Sequence, residues 1–420
     1  MNITVLGEAK FESPIGYSVS DSLLIPENIV IDPASTTKEA LLFELAGPRS
    51  KLFFDAKHTR AAIVTCGGLC PGLNNVIRSL FLELHFAYGV KEVIGFRGGY
   101  QGLDPVKGKE PVVLTPEFVN KIHKEGGTVL GTSRGPVDIS IAVDNLINRG
   151  VNIIFTVGGD GTQRGGNALY QEAKKRGYPL SVVGIPKTID NDVAFVSRTF
   201  GYLTAVAEAS RVLSNAHNEA RSVENGIALV KLMGRNAGFV AAGATVASQD
   251  ANFTLLPEVP FELDGPNGFL AALRERIINR SHALIVVAEG AGQNLFTADE
   301  LKQDASGNIK AKDIGLFLRD EIEKYFKNEN IPVVMRYIDP SYIVRSSAAN
   351  SEDAILCDFF ARNAVHAAMA GKTGLVIGYM HERFIHVPIE LLTSRKKAMD
   401  PNSFQWKSVL ASTGQTDQFE

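Results

Sequence analysis

From Ala61 onward, short apolar runs alternate with longer amphipathic segments, and this alternation most limits what the chain can fold into. The runs Ala61–Cys66, Glu92–Phe96, Asn152–Val157, Leu180–Ile185, Gly226–Leu232, Asn252–Leu256, Ala283–Ala288 and Gly374–Gly378 are rich in Val and Ile. They are apolar on both faces and most end at Gly or Pro, which predicts buried parallel strands. Helices are predicted between them, over Leu73–Tyr88, Gln163–Lys175, Phe200–His217, Ala237–Ala247, Gly268–Ile278, Ile314–Phe326 and Glu352–Ala370. The expected fold class is therefore α/β, with doubly wound domains that hold ligands at the C-terminal ends of their strands. The first sixty residues lack such periodicity and carry Pro14, Pro26, Pro33 and Pro48. They are read as an N-terminal extension packed on the first domain. The polar stretch Ser412–Glu420 is read as a frayed tail.

Composition narrows the function classes. With 420 residues, 45% of them hydrophobic and 21% charged, the chain has material for two or three ordinary globular domains. A net charge of −3 gives no electrostatic reason to expect nucleic acid or an anionic membrane as partner. Positive charge for an anionic substrate must then be focused in a cleft. Three cysteines, Cys66, Cys70 and Cys357, do not form a disulfide framework, which points to a reducing compartment. Metal or redox use of Cys66 and Cys70 is disfavoured because no second Cys or His pair accompanies them. His381 and His386 are likewise read as surface or core histidines. No secretory signal, membrane-length apolar run or peroxisomal tripeptide is evident, so a cytoplasmic location is expected.

Three loops follow predicted strands and carry the chemistry. Cys66-Gly67-Gly68-Leu69-Cys70-Pro71-Gly72 leads into a helix, and such a loop presents backbone N–H groups and a helix N-terminus to a phosphate. Gly158-Gly159-Asp160-Gly161-Thr162, followed by Arg164 and Gly165, sets a carboxylate among glycines, as a magnesium-bridged phosphate requires. Its spacing is not that of the dinucleotide fingerprint. The third loop, Pro186-Lys187-Thr188-Ile189-Asp190-Asn191-Asp192, crowds a lysine, a hydroxyl and two carboxylates onto one turn. There a carboxylate can accept a proton from a substrate hydroxyl while Lys187 neutralises phosphate charge. A turn whose side chains only cap the backbone is the weaker alternative. Met233-Gly234-Arg235 and Glu289-Gly290 also follow strands, and each alone serves equally well as a structural turn. Gly371-Lys372-Thr373 imitates a P-loop ending, but His366 replaces the required glycine and the helix–strand order is reversed.

Taken in order, T-C-G-G-x-C-P-G-L-N, G-G-D-G-T, P-K-T-I-D-N-D, K-L-M-G-R, V-A-E-G and Y-I-D-P-S-Y-I-V-R closely resemble the 6-phosphofructokinases. The resemblance runs from about Ala61 to His386. Lys187 and the Ser341-Tyr342 segment look like the pyrophosphate-type subgroup, which includes ATP-using members. The resemblance implies two Rossmann-like domains: a donor domain over 61–201 with about 344–395, and a sugar-phosphate domain over 202–343. The N-terminal extension 1–60 and a C-terminal segment 396–420 complete the chain. It also implies a glycolytic kinase that uses MgATP and fructose 6-phosphate and forms a homodimer or homotetramer.

By the same resemblance, Asp190 is the general base toward the 1-hydroxyl, and Asp160 holds Mg2+ on the donor phosphates. Asp192 orients waters or metal nearby. Thr188, Lys187 and Arg235 stabilise the transferring phosphoryl group, a reaction governed by positioning and electrostatics. Gly67, Arg134, Gly158, Gly159, Asp160, Gly161, Thr162 and Arg164 bind the donor. Met233, Gly234, Arg235, Glu289, Arg336, Tyr342 and Arg345 join Thr188, Asp190 and Asp192 on the sugar phosphate. Many bacterial ATP-dependent relatives have a further phosphate-binding arginine where this chain has Gly226.

Two positions bear on the donor. Pyrophosphate users typically have Asp at the place of Gly161, and that carboxylate would repel the nucleotide α-phosphate. Gly161 therefore favours ATP, whereas Lys187 points toward the pyrophosphate subgroup. A pyrophosphate-dependent enzyme stays as the alternative. So do a lipid or NAD kinase, against which P-K-T-I-D-N-D and M-G-R speak, and a silent regulatory subunit, against which Asp160, Asp190 and Asp192 speak.

Overall fold

In the computed structural model of the chain, the described residues are 3–29, 41–133, 135–296, 302–303, 309–310 and 312–420. They divide into two compact units. The first comprises Met1–Thr188, Val193–Gly201 and Ser347–Lys396; the second comprises Ile189–Asp192, Tyr202–Ser346 and Lys397–Glu420.

The first unit is built on a nine-stranded sheet among the described residues. Its centre is five parallel strands in the spatial order Leu375–Met380, Ser181–Pro186, Ile153–Gly158, Arg60–Thr65 and Glu92–Arg97. Ile153–Gly158 and Ser181–Pro186 are buried along their whole length, which is why they read as unbroken apolar runs rather than alternating ones. Ile154, Val182, Leu169, Ala173 and Leu146 pack into one core beside this sheet. The helices Leu73–Leu82 and Ser351–Met369 pack on each other.

Antiparallel strands close both edges. Lys109–Val113 pairs with Glu92–Arg97 on one side. On the other, Arg383–Pro388 pairs with Leu375–Met380 and then with Leu42–Leu45, which in turn pairs with Leu24–Pro26. The N-terminal residues thus extend the main sheet itself. A buried charge cluster anchors this edge: the Glu44 carboxylate accepts from Arg49, from Lys372 Nζ at 2.7 Å and from His386 Nδ1 at 2.9 Å. Burial opposes ionisation of Glu44, but His386 and Lys372 hold its carboxyl well below the ordinary range.

The second unit carries a four-stranded, wholly parallel sheet in the order Phe253–Leu255, His282–Ala288, Gly226–Leu232, Val334–Ile338. The helices Tyr202–Arg221, Phe239–Ser248, Phe269–Arg280 and Ile314–Asn328 accompany it. The C-terminal stretch does not fray as its polarity suggested. Phe404–Thr413 is helical, Phe419 is buried beside Phe253 and Phe269, and the Glu262 amide donates to the Phe419 carbonyl at 3.0 Å. The buried Phe419 ring holds this polar tail together with Gln415, which bonds the Thr254 backbone amide (2.6 Å) and carbonyl (3.2 Å).

Candidate functional site

In the first unit, three of the sequence-predicted loops leave the C-terminal ends of three neighbouring parallel strands. Arg60–Thr65 feeds Cys66–Gly72, Ile153–Gly158 runs straight into the helix Asp160–Lys175, and Ser181–Pro186 delivers Lys187 and Thr188. The ladder continues into the loops, because the Cys66 amide donates to the Val157 carbonyl (2.9 Å) and the Lys187 amide to the Gly158 carbonyl (3.0 Å).

Side chains then lock the loops together. Lys187 is buried, and its Nζ donates to the Gly68 carbonyl at 2.7 Å, which ties the third loop to the first. Gln163, also buried, donates from Nε2 to the carbonyls of Gly158 (2.9 Å) and Ile185 (3.2 Å) and so links the second loop to the strand that precedes the third. The Tyr100 hydroxyl holds the Thr162 carbonyl at 2.6 Å, and the Thr132 hydroxyl holds the Gly67 carbonyl at 2.6 Å. Arg134, two residues beyond Thr132, lies outside the described residues.

Asp160 stands in the first turn of a sixteen-residue helix, where the backbone N–H groups favour an anion. One residue on, Gly161 is exposed, and a Cβ built there meets only the Arg164 guanidinium, at 4.0 Å. Local packing does not demand a glycine at this position. The three cysteines are buried. Burial pushes the Cys66 thiol up to about 11, so it stays protonated at neutral pH.

Gln163 belongs to no predicted site, although its place directly after G-G-D-G-T was visible. Replacing it with Leu removes buried hydrogen bonds and should cost about 1–3 kcal/mol. A lowered urea midpoint together with a raised KM for the phosphoryl donor is expected; an unchanged midpoint and KM would show that the link does not matter.

The second unit holds the remaining candidates. Asp190 and Asp192 flank Asn191, which is buried and takes φ +56°, a left-handed turn that Asn tolerates better than other non-glycine residues. The Lys397 amide donates to the Asp192 carbonyl at 3.3 Å, and its ammonium lies 5.0 Å from the centre of the Phe239 ring. Burial lowers Lys397 to about 8, with the Asp192 charge working against the shift. No motif pointed to this lysine.

Met233-Gly234-Arg235 and Glu289-Gly290 leave neighbouring parallel strands and are stitched together through their backbones. The Glu289 amide donates to the Leu232 carbonyl (2.9 Å) and the Gly290 amide to the Gly234 carbonyl (3.1 Å). A Cβ on Gly290 would sit 1.9 Å from the Arg235 carbonyl oxygen, so only glycine permits this close approach. Burial raises the Glu289 carboxyl, while the Lys231 and Arg235 charges oppose the shift.

Lys231 is a buried cation that belongs to no predicted site, although a lysine in the apolar run Gly226–Leu232 is a visible signal. Its Nζ pairs with Asp313 (2.7 Å) and Asp339 (2.9 Å). Burial works against ionisation of Asp339, yet Ser341 and Lys231 hold its carboxyl below the ordinary range. Asp339 immediately precedes the turn into the helix Ser341–Ser346, so the ion pair steadies the element that carries Tyr342 and Arg345. The Arg345 guanidinium lies 4.5 Å from the centre of the Tyr342 ring, and Tyr342 is itself 73% exposed.

Arg336 stands apart from this group. It lies midway along the edge strand Val334–Ile338, opposite Ala228, and its guanidinium bonds the neighbouring Met335 carbonyl. Gly226 opens its inner strand at the N-terminal end, opposite the end that carries Met233–Arg235, and a Cβ there would meet the Ala220 carbonyl oxygen at 2.1 Å.

Comparison with known proteins matches residues 60–368 to the family described as Phosphofructokinase. The chain is 48% identical over 383 residues to the ATP-dependent 6-phosphofructokinase of Borreliella burgdorferi, covering 90% of this chain and 86% of that one. It is 43% identical over 439 residues to the enzyme of the same name from Amycolatopsis methanolica, covering 100% and 95%. Among solved structures, a pyrophosphate-dependent phosphofructokinase from Marinobacter aquaeolei aligns with TM-score 0.70 over 86% of this chain and 93% of that one. At 18% identity, that likeness concerns the fold alone.

Proposed function

The chain belongs to the phosphofructokinase family, and from that premise we propose that it phosphorylates the 1-hydroxyl of fructose 6-phosphate with MgATP, giving fructose 1,6-bisphosphate and ADP. The observation that carries this reading is the convergence of the Gly67–Gly68, Gly158–Gly161 and Lys187–Thr188 loops on adjacent strand ends, with open space at Gly161. Backbone amides, a helix N-terminus and a buried lysine form a cradle suited to donor phosphates. The open position at Gly161 leaves room for the nucleotide beyond them.

Asp160 is the residue that would hold Mg2+. A carboxylate at a helix N-terminus suits a metal that takes most of its oxygen ligands from phosphates and water. When bound, the ion neutralises charge on the donor oxygens. Asp190 takes the proton of the attacking hydroxyl, and Asp192 keeps the surrounding polar groups in register. Lys187, Thr188 and Arg235 stabilise charge on the phosphoryl group in flight. Met233, Gly234, Arg235, Glu289, Tyr342 and Arg345 hold the sugar phosphate. Arg336, exposed in the middle of an edge strand, completes the sugar-phosphate site of a second copy in the homodimer or homotetramer that belongs to this reading. No helix among the described residues is long and apolar enough to cross a membrane, and a cytoplasmic location is part of this reading.

A linked assay offering fructose 6-phosphate with either donor tests the assignment. Turnover with MgATP is expected. Turnover with pyrophosphate and none with MgATP would reverse the donor.

A further inference from the structure

Away from the residues discussed so far, two histidines of the second unit face each other. His217 lies near the C-terminal end of the helix Tyr202–Arg221, and His282 opens the strand His282–Ala288. Their Nε2 atoms are 3.3 Å apart and their ring centroids 5.2 Å apart. Each Nδ1 already has an acceptor: Asp250 Oδ1 for His217 (3.0 Å) and the Arg280 carbonyl for His282 (2.9 Å). Asp250 is in turn held by the Ser214 hydroxyl at 2.8 Å. A hydrogen on Nδ1 leaves Nε2 as a lone pair. Two neutral rings so pinned would point lone pair at lone pair, and something electrophilic must lie between them.

The distances fit two rings converging on a shared point better than a collinear bond. Two imidazole nitrogens about 2.05 Å from one tetrahedral ion lie about 3.3 Å apart, with ring centroids about 5.2 Å apart. A head-on N–H···N bond of the same length would set the centroids about 5.6 Å apart. The observed pair of distances fits convergence on a common point. Asp250 and the Arg280 carbonyl supply the outer contacts that fix tautomer and ring orientation in histidine–metal sites.

We propose that His217 and His282 form a two-ligand site for a borderline dication such as Zn2+, with water completing its shell. Imidazole suits Zn2+ over Mg2+, which sets this site apart from the phosphate chemistry of the family. Among the described residues no third His, Cys, Asp or Glu completes a metal cluster, and Arg221 and Arg276 place positive charge nearby. Both features weaken binding. His282 and Glu289 mark opposite ends of the run His282–Glu289, so the site lies at the N-terminal end of the strand, away from the sugar-phosphate candidates that follow its C-terminal end. Bound metal would clip helix to strand and raise stability without entering the reaction.

Titrating Zn2+ into the metal-free full chain by calorimetry tests this. One Zn2+ per chain is expected, together with a rise in Tm. Both effects should vanish in H217Q and in H282Q. In D250N, which loses the charged outer partner, affinity should drop by about tenfold or more. Metal-free kcat and KM of the His variants should match wild type, which controls for folding. Absence of Zn2+ binding to wild type up to millimolar concentration would overturn the site and leave a shared proton between the rings. Equal binding by wild type and both His variants would overturn it as well.

Discussion

Replacing Asp190 with Asn should lower kcat by roughly 10²–10⁴-fold, the range associated with losing a general base. The KM for fructose 6-phosphate should stay within about threefold of wild type, because the amide keeps the shape of the carboxylate and removes only its basicity. Asn191 should keep its left-handed turn in the variant, so the neighbouring backbone is preserved. Steady-state kinetics over a range of pH decides the matter. If kcat survives, proton removal belongs to another group and the division of labour in the Pro186–Asp192 segment is wrong.

The second large effect concerns donor choice. Gly161→Asp should fold as well as the parent protein, since a Cβ there meets only the Arg164 guanidinium at 4.0 Å. An acidic residue in the first turn of the helix Asp160–Lys175 is also favourable to the helix. Any loss therefore reports on the ligand. Two like charges 4 Å apart at an effective dielectric constant of 20 repel by about 4 kcal/mol. A fall in kcat/KM for MgATP on the order of 10²–10³-fold follows. An unperturbed Tm alongside that fall would locate the effect in nucleotide entry. Unchanged ATP kinetics would refute exclusion by charge.

Much of the proposed donor site was legible in the sequence. Buried parallel strands leave continuous Val/Ile runs, and the glycines that end them mark where the backbone must turn and admit a ligand. Asp160, Gly161, Lys187 and Asp190 could all be named from such signals and from the family resemblance. What stayed hidden depends on partners far apart in sequence. Gln163 matters because its amide reaches Ile185, and Lys231 because it meets Asp313 and Asp339. The strand carrying Arg336 escaped notice because an edge strand exposes part of its length and loses the unbroken apolar run. The N-terminal strands Leu24–Pro26 and Leu42–Leu45 are short, and they become strands only through pairing with Arg383–Pro388 and with each other.

The amino-acid sequence by itself determined the α/β class, the glycine-rich loops after the strands and the absence of a side chain at Gly161. These are local properties, written in periodicity, in glycine placement and in residue type. Only the tertiary structure decided that a Cβ at Gly161 would find open space, that Lys187 is pinned to Gly68, and that His217 meets His282. Each of those facts is a distance between groups that chain order leaves far apart. Burial and packing set such distances, and no local pattern encodes them.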